Sequence, residues 1–223
     1  MTKTVIDDQI RIIVKPKDSA DLLAFFKTVL SLLSGSFLPQ PDKIIQPNGL
    51  NYAINGFLDP LVMTTLEQET GETKNAFELI YRDRENIQVI SPSGNLYSLT
   101  EHQYLPDRFP SLLRALVISI AEEAAPAFVG CSLDKISRKI YFRNFQWEDR
   151  TSFSPNLEWL QYFGPEEFNR QGSEAIFNNP HIQAERLGEG ILIQVGRNPA
   201  DAYTVAGEQL LVEATKAMPP VRS

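Results

Sequence analysis

Hydrophobic residues recur with a period of two in some segments of the chain and with a helical period in others. Ile10, Ile12 and Val14 recur at every second position, which predicts a strand over residues 9–14 with these three residues on one face. The next apolar segment has helical spacing and ends at Gly35, a residue favoured just after a helix. The helical stripe consists of Leu22, Phe25, Phe26, Val29, Leu30 and Leu33. We expect this stripe to face a core, with Asp18 or Ser19 capping the helix.

The segment between residues 36 and 75 resists assignment from periodicity. It contains several prolines and glycines, which interrupt regular structure, but it is too apolar for a flexible linker. We therefore expect an ordered, irregular excursion with one short strand near Tyr52. It would end in a solvated acidic loop that carries Glu67, Glu69 and Glu72.

Short alternating runs over residues 77–99 predict a meander of strands. A second helix is expected to begin after Asp107 and to bury a stripe between Phe109 and Ile120. Residues 127–132 predict a buried strand. The alternation of Ile140 and Phe142 with charged neighbours predicts a further strand over residues 139–145.

The most regular pattern lies in the C-terminal third. An aromatic run over residues 157–163 predicts a strand, and Gly164-Pro165 followed by two glutamates predicts a helix start. A hairpin is expected around Gly188-Glu189-Gly190, and Thr204 is expected to cap a last helix that stops before Pro219-Pro220. Five residues of this region are predicted to be structural: Trp159, Gly164, Pro165, Gly188 and Gly190.

These elements predict one α+β domain over residues 1–223. Its mostly antiparallel sheet would carry helices on one face. Residues 1–125 and 126–223 share a loosely similar β-α-β-β-α order, although the residues themselves do not repeat.

Composition narrows the classes of partner. The net charge of −7 argues against a direct nucleic-acid binder, which would normally be basic. The single cysteine, Cys131, allows no intrachain disulfide and suits a reducing compartment. The longest apolar helical segment carries Lys27 and is too short to cross a bilayer. We therefore expect a cytoplasmic protein that contacts neither nucleic acid nor membrane.

The sequence contains no recognisable catalytic, cofactor or metal motif. His102 and His181, the two histidines, have no cysteine or histidine neighbour at metal-ligand spacing. A nucleophilic pair between Cys131 and a histidine remains an alternative, although a cysteine in an apolar strand is usually a packing residue. We expect no catalytic residues, no metal ligands and no cofactor.

Three C-terminal segments resemble bacterial immunity proteins. They are Leu157 to Glu166, Leu187 to Gln194, and Ala217 to Arg222. The chain resembles the immunity protein 52 family most, and a related type VI immunity family second. The resemblance implies an α+β protein that binds and neutralises a co-encoded secreted toxin of a polymorphic or type VI secretion system, typically a nuclease with a restriction-endonuclease-like domain.

The resemblance names no contact residues, and the sequence leaves the oligomeric state open. Because binding surfaces favour long loops, the partner surface is expected at Glu67, Glu69 and Glu72, where negative charge could match a basic nuclease cleft. The alternative surface consists of Glu166, Glu167 and Glu189. The alternative functions are an enzyme that depends on Cys131 and an adaptor domain.

Overall fold

The computed structural model describes most of the chain. The described residues are 6–8, 10–17, 21–38, 40–46, 48–72, 77–80, 86–90, 96–100, 103–104, 108–144, 157–171 and 176–218. Within them, only the backbone is described for residues 6–7, 69–72, 77–80, 86–90, 96–100, 103–104 and 171.

Ten of the described strands form one sheet, and two short strands pair separately. The strands are β1 (Ile6–Asp7), β2 (Ile10–Lys15), β3 (Lys43–Ile45), β4 (Asn51–Ala53), β5 (Phe77–Ile80), β6 (Asn86–Ile90), β7 (Leu96–Thr100), β8 (Gln103–Tyr104), β9 (Phe128–Leu133), β10 (Leu160–Phe163), β11 (Gln183–Leu187) and β12 (Gly190–Gln194). The large sheet runs β11-β12-β10-β9-β2-β7-β6-β5-β3-β4, and β1 pairs with β8. All pairings between described strands are antiparallel.

Strand β2 lies in the middle of the sheet, between β7 and β9. Ile12 is the partner of Ser98 on one side and of Cys131 on the other. Ile10, Ile12 and Val14 are all buried, as the alternation in the sequence predicted. Strand β2 therefore joins strands β3 to β7 on one side to strands β9 to β12 on the other, in one continuous sheet.

Helices pack against this sheet. They are α1 (Leu22–Ser34), α2 (Pro60–Glu72), α3 (Phe109–Ala124), α4 (Asp134–Asn144), α5 (Pro165–Gln171) and α6 (Val205–Lys216), with a 3₁₀ helix at Pro199–Tyr203 before α6. The buried stripe of α1 runs from Phe25 to Leu33, as expected. Asp21 caps this helix by accepting a hydrogen bond from the Ala24 amide at 3.1 Å. The caps expected at Asp18 or Ser19, and at Asp107, lie outside the described residues.

Two neighbours in β11 show that helices cover both faces at one end of the sheet. Glu185 accepts a hydrogen bond from Arg114 of α3 at 2.5 Å. The next residue, Arg186, points the other way, and its guanidinium lies 5.3 Å from the ring centroid of Phe168 in α5. The α+β class and the antiparallel sheet are confirmed. At this end, helices lie on two faces instead of the expected one.

The prediction of an irregular excursion over residues 36–75 is wrong, although the short strand expected near Tyr52 is present as β4. The segment contains the hairpin of β3 and β4, followed by helix α2. Pro60 occupies the first position of α2, where a proline needs no partner for its missing N–H. The acidic run at Glu67, Glu69 and Glu72 therefore belongs to a helix and not to a loop.

The strand predicted over residues 139–145 is also wrong. Residues 134–144 form α4, in which Ile136 and Ile140, four positions apart, face the core. Phe142, which the strand pattern had placed beside Ile140, is 67% exposed. Two apolar residues in alternation were too few to separate a strand from a short helix.

The C-terminal pattern is confirmed in most of its elements. Pro165 begins α5, and β11 and β12 form the expected hairpin. Thr204 caps α6 by accepting a hydrogen bond from the Gly207 amide at 3.0 Å. The helix ends at Lys216, before the two prolines, which lie outside the described residues.

Candidate partner-binding surface

The β11–β12 hairpin turns through two residues, Gly188 and Glu189. Leu187 pairs directly with Gly190, so Gly190 is the first residue of β12 and not part of the turn. Gly188 has φ of +59°, as required at the first central position of a type II′ turn. The turn leaves Glu189 exposed at the tip of the hairpin.

Close packing brings this hairpin next to the start of α5. A Cβ added at Gly190 would lie 2.4 Å from the Phe163 carbonyl oxygen and 2.4 Å from the Tyr162 hydroxyl. A Cβ at Gly164 would lie 2.5 Å from the carbonyl oxygen of Pro126. These contacts allow only glycine at both positions, and they place the hairpin, the start of α5 and the start of β9 at one end of the sheet.

Glutamates from two of these elements meet solvent there. Glu166 is exposed, and Glu167 accepts a hydrogen bond from Arg170 at 2.5 Å within α5. Burial, and to a smaller extent the Glu189 carboxylate, raises the pKa of the Tyr162 hydroxyl. The negative charge of Glu189 therefore acts on Tyr162 in β10, the strand that leads into α5.

Helix α3 adds two further carboxylates to this end of the sheet. Glu122 and Glu123 are exposed in its last turn, shortly before β9 begins. We call the five residues Glu122, Glu123, Glu166, Glu167 and Glu189 the acidic end. The sequence alone did not connect Glu122 and Glu123 with the hairpin, because their place at this end of the sheet follows from strand order.

The other predicted surface lies on a helix, and its one described carboxylate is paired. Glu67 lies on α2 and forms an ion pair of 2.9 Å with Lys27 of α1, with both side chains about half exposed. Only the backbone of Glu69 and Glu72 is described. A partner that used Glu67 would have to displace Lys27. Glu166 and Glu189 form no ion pair with another described residue, so a partner there needs no such exchange.

Trp159 lies next to α6 and is 4% exposed. It lines a small cleft of about 20 Å³ together with Ser132, Asn198 and Asp201, which is room for about one water molecule. Among the residues that the structure describes, none accepts a hydrogen bond from the indole N–H. This cleft is too small to bind a metabolite.

A largely buried ionic cluster, from which Arg138 reaches solvent, lies on the face of the sheet nearest α4. Arg11 donates a hydrogen bond to Glu158 and lies 3.4 Å from a carboxylate oxygen of Asp134, which Arg138 also binds at 2.9 Å. Two cations therefore face two carboxylates. Because the charges balance, the cluster offers no net field to attract a charged substrate.

Cys131 lies beside this cluster and is fully buried. Burial raises the pKa of its thiol strongly, the Glu158 carboxylate adds to the increase, and the Arg11 guanidinium opposes it. The thiolate is the nucleophilic form, so this cysteine is poorly placed for covalent chemistry. His181 lies on the surface, 3.8 Å from Glu213, and His102 lies outside the described residues.

Within the described ranges, no three histidine, cysteine or carboxylate side chains gather in a way that could hold a metal ion. None of the described helices has the length and apolar character needed to cross a bilayer.

Comparison with known proteins reveals a similarity of fold. No protein-family model matches the sequence, so membership of the immunity protein 52 family stays an expectation. No curated protein gives a significant match. Among solved structures, the chain is similar to a Pseudomonas aeruginosa protein described as T6SS protein PA0821, with a TM-score of 0.55 and 14% sequence identity. The alignment covers 95% of this chain and 74% of that chain, and at this identity it shows a shared fold.

Proposed function

We propose that this chain is an immunity protein that binds and neutralises a co-encoded toxin of a type VI secretion system in the cytoplasm of the producing cell. The observation that carries the proposal is the fold similarity to a T6SS protein across 95% of the chain. The three C-terminal segments that resemble immunity proteins support it independently, because they were identified from residues and not from the fold.

The chemistry of the chain favours binding over catalysis. The one cysteine is buried, which favours its protonated form, and the ionic cluster around Arg11 is neutral and largely buried. What reaches the surface is a group of carboxylates on rigid elements, held by a tight turn and a helix start. Rigid presentation limits the entropy lost on binding, which suits an inhibitor.

The acidic end also fits the class of toxin that the sequence resemblance implies. A nuclease must attract the phosphates of its substrate, so its active-site cleft is expected to be basic. Carboxylates docked at that cleft would accelerate association and block the substrate. We therefore propose Glu166 and Glu189 as the leading contacts, with a nuclease as the partner.

Co-expression tests the function directly. The toxin domain encoded beside this gene should kill cells when expressed alone, and co-expression of this chain should restore growth. The two purified proteins should co-elute at micromolar concentration as one complex, since inhibitor-type interfaces bury roughly 1,600 Å² in total. A toxin of unchanged potency, together with separate elution, would refute the proposal.

An unrelated toxin from another secretion locus is the matched control. Rescue from both toxins would indicate a general effect on expression and not immunity. Activity of the toxin on nucleic acid in vitro, measured with and without this chain, then tests whether the partner is a nuclease.

A further inference from the structure

Strand β11 forms one edge of the large sheet and offers main-chain hydrogen-bonding groups on its outer side. In a hairpin with a two-residue turn, the pair next to the turn is hydrogen-bonded, and hydrogen-bonded pairs then alternate along the strands. Leu187, Glu185 and Gln183 therefore bond to β12. The N–H and C=O groups of Ala184 and Arg186 point away from the sheet, and no described strand pairs with them.

The side chains of β11 do not cover this edge. Glu185 is held on one face by Arg114 at 2.5 Å. Arg186 is held on the other face, where its guanidinium lies 5.3 Å and 5.7 Å from the ring centroids of Phe168 and Phe177. Proteins usually protect exposed edges with charged side chains that project outward, whereas here both charges are bound to other elements.

The two edges of the sheet differ. Strand β4, at the opposite edge, has three residues, and short strands make poor templates for pairing. Strand β11 has five residues, contains no proline, and has the ring of Phe177, 43% exposed, beside it. The longer edge with an adjacent exposed aromatic is the one suited to receive a strand.

Self-pairing of this edge is disfavoured by charge. Antiparallel pairing of two copies must place outward-facing residues opposite each other, which restricts the register. One central register sets Glu185 opposite Glu185, and the next sets Arg186 opposite Arg186. Like charges directly opposite each other destabilise a pair of strands, so a second copy of this chain is a poor occupant.

We propose that an extended segment of the toxin binds by adding a strand to β11. The inference rests on the proposed function and specifies how the partner docks. Main-chain hydrogen bonds to Ala184 and Arg186 provide affinity. Selectivity comes from the residues opposite Glu185 and Arg186, where the toxin strand carries a basic and an acidic side chain respectively, or neutral ones.

The test removes one outward N–H without touching the hairpin bonds. Ala184→Pro eliminates that donor, and proline is tolerated on an edge strand where the N–H faces solvent. Ala184→Ser is the matched control, because it keeps the N–H. We expect the proline variant to bind the toxin domain about tenfold more weakly or worse, and the serine variant to bind like the wild type.

Hydrogen exchange provides a second measurement that needs no variant. The amides of Ala184 and Arg186 should exchange quickly in the free chain and slowly in the complex. If Ala184→Pro binds as tightly as the wild type, or if both amides still exchange quickly in the complex, strand addition is wrong while the immunity function stands. If the wild type binds no toxin, both proposals fail. A wild-type dimer that Ala184→Pro dissociates would show that a second copy occupies the edge.

Discussion

Tyr203 donates a hydrogen bond of 2.5 Å to Asp8, a residue at the opposite end of the sequence. The same carboxylate accepts bonds from the amides of Lys135 and Ile136, at 2.7 Å and 3.1 Å, in the first turn of α4. Asp8 thus caps a helix from a distant segment and joins it to the 3₁₀ helix that precedes α6.

Removing this cap should destabilise the protein. Asp8→Ala leaves two amides and a hydroxyl without their acceptor, so we expect a loss of about 2–4 kcal/mol in the free energy of unfolding. Tyr203→Phe removes the hydrogen bond from the hydroxyl and should cost about 1–2 kcal/mol. Urea denaturation of both variants and of the double mutant measures their coupling. Strictly additive effects would contradict a direct bond between the two side chains.

Glu208 should make stability depend on pH in the acid range. The hydrogen bond from Asn144 at 3.3 Å, with help from Arg143 at 3.1 Å, lowers the pKa of the Glu208 carboxyl from its usual value of 4.5. A lowered folded-state pKa contributes stability above the unfolded value and loses it as the pH falls through the folded value. The difference in stability between the wild type and Glu208→Gln should therefore shrink below about pH 4.5.

Asn144→Ala is the matched control for Glu208. It should move the pKa of Glu208 back toward its usual value without removing the carboxylate, which an NMR titration would measure. A Glu208 pKa that does not change in Asn144→Ala would show that the amide is not its principal partner.

Trp159→Ala should cost about 3–5 kcal/mol, the range for truncating a large buried aromatic. The indole is 4% exposed and packs near α6, so its loss opens a cavity between the sheet and that helix. At a temperature where the variant remains folded, toxin binding should be retained. An unchanged melting temperature combined with lost binding would make Trp159 a contact residue.

The two glycines of the hairpin should differ in their tolerance of alanine. The Cβ added by Gly188→Ala meets no atom within 4 Å. The variant should therefore lose only the stability that a positive φ costs a residue with a side chain, about 1–2 kcal/mol. Gly190→Ala places its Cβ 2.4 Å from the Phe163 carbonyl oxygen, so the backbone must move and the cost should be larger, about 3 kcal/mol or more. Thermal denaturation compares the two, and equal losses would contradict the packing around Gly190.

Charge reversal separates the two predicted docking surfaces. Glu166→Lys with Glu189→Lys should slow association with the toxin, and the effect should grow at low ionic strength because long-range attraction is screened by salt. Glu67→Lys, on α2, is the matched control and should leave the association rate unchanged. Stopped-flow measurements at two salt concentrations give the association rate of each variant. Slower association of Glu67→Lys, with an unchanged rate for the Glu166→Lys and Glu189→Lys variant, would place the docking surface on α2.

Local signals predicted the elements whose residues interact with near neighbours. The stripe of α1, the proline start of α5 and the hairpin at Gly188 each depend on contacts a few positions apart. Helix α2 was missed because Pro60 was interpreted as a break, although a proline is equally suited to the first turn of a helix.

Most contacts around the candidate site join distant segments, and such contacts left no signal in the sequence. The ion pair between Arg11 and Glu158 and the cap from Asp8 to α4 join segments more than a hundred positions apart. Likewise, the acidic end exists only because β9, β10 and β12 are neighbours in the sheet. The sequence predicted Glu166, Glu167 and Glu189 as an alternative surface, but Glu122 and Glu123 could not be added without strand order.

The central position of β2 has a consequence during synthesis. Its partner residues Ser98 and Cys131 are translated long after Ile12 has left the ribosome. At about 5–20 residues per second, this apolar strand is translated roughly 6–24 s before its second neighbour. The nascent chain must therefore remain unaggregated over that interval, and a chaperone that binds exposed apolar strands would find its target in the first fifteen residues.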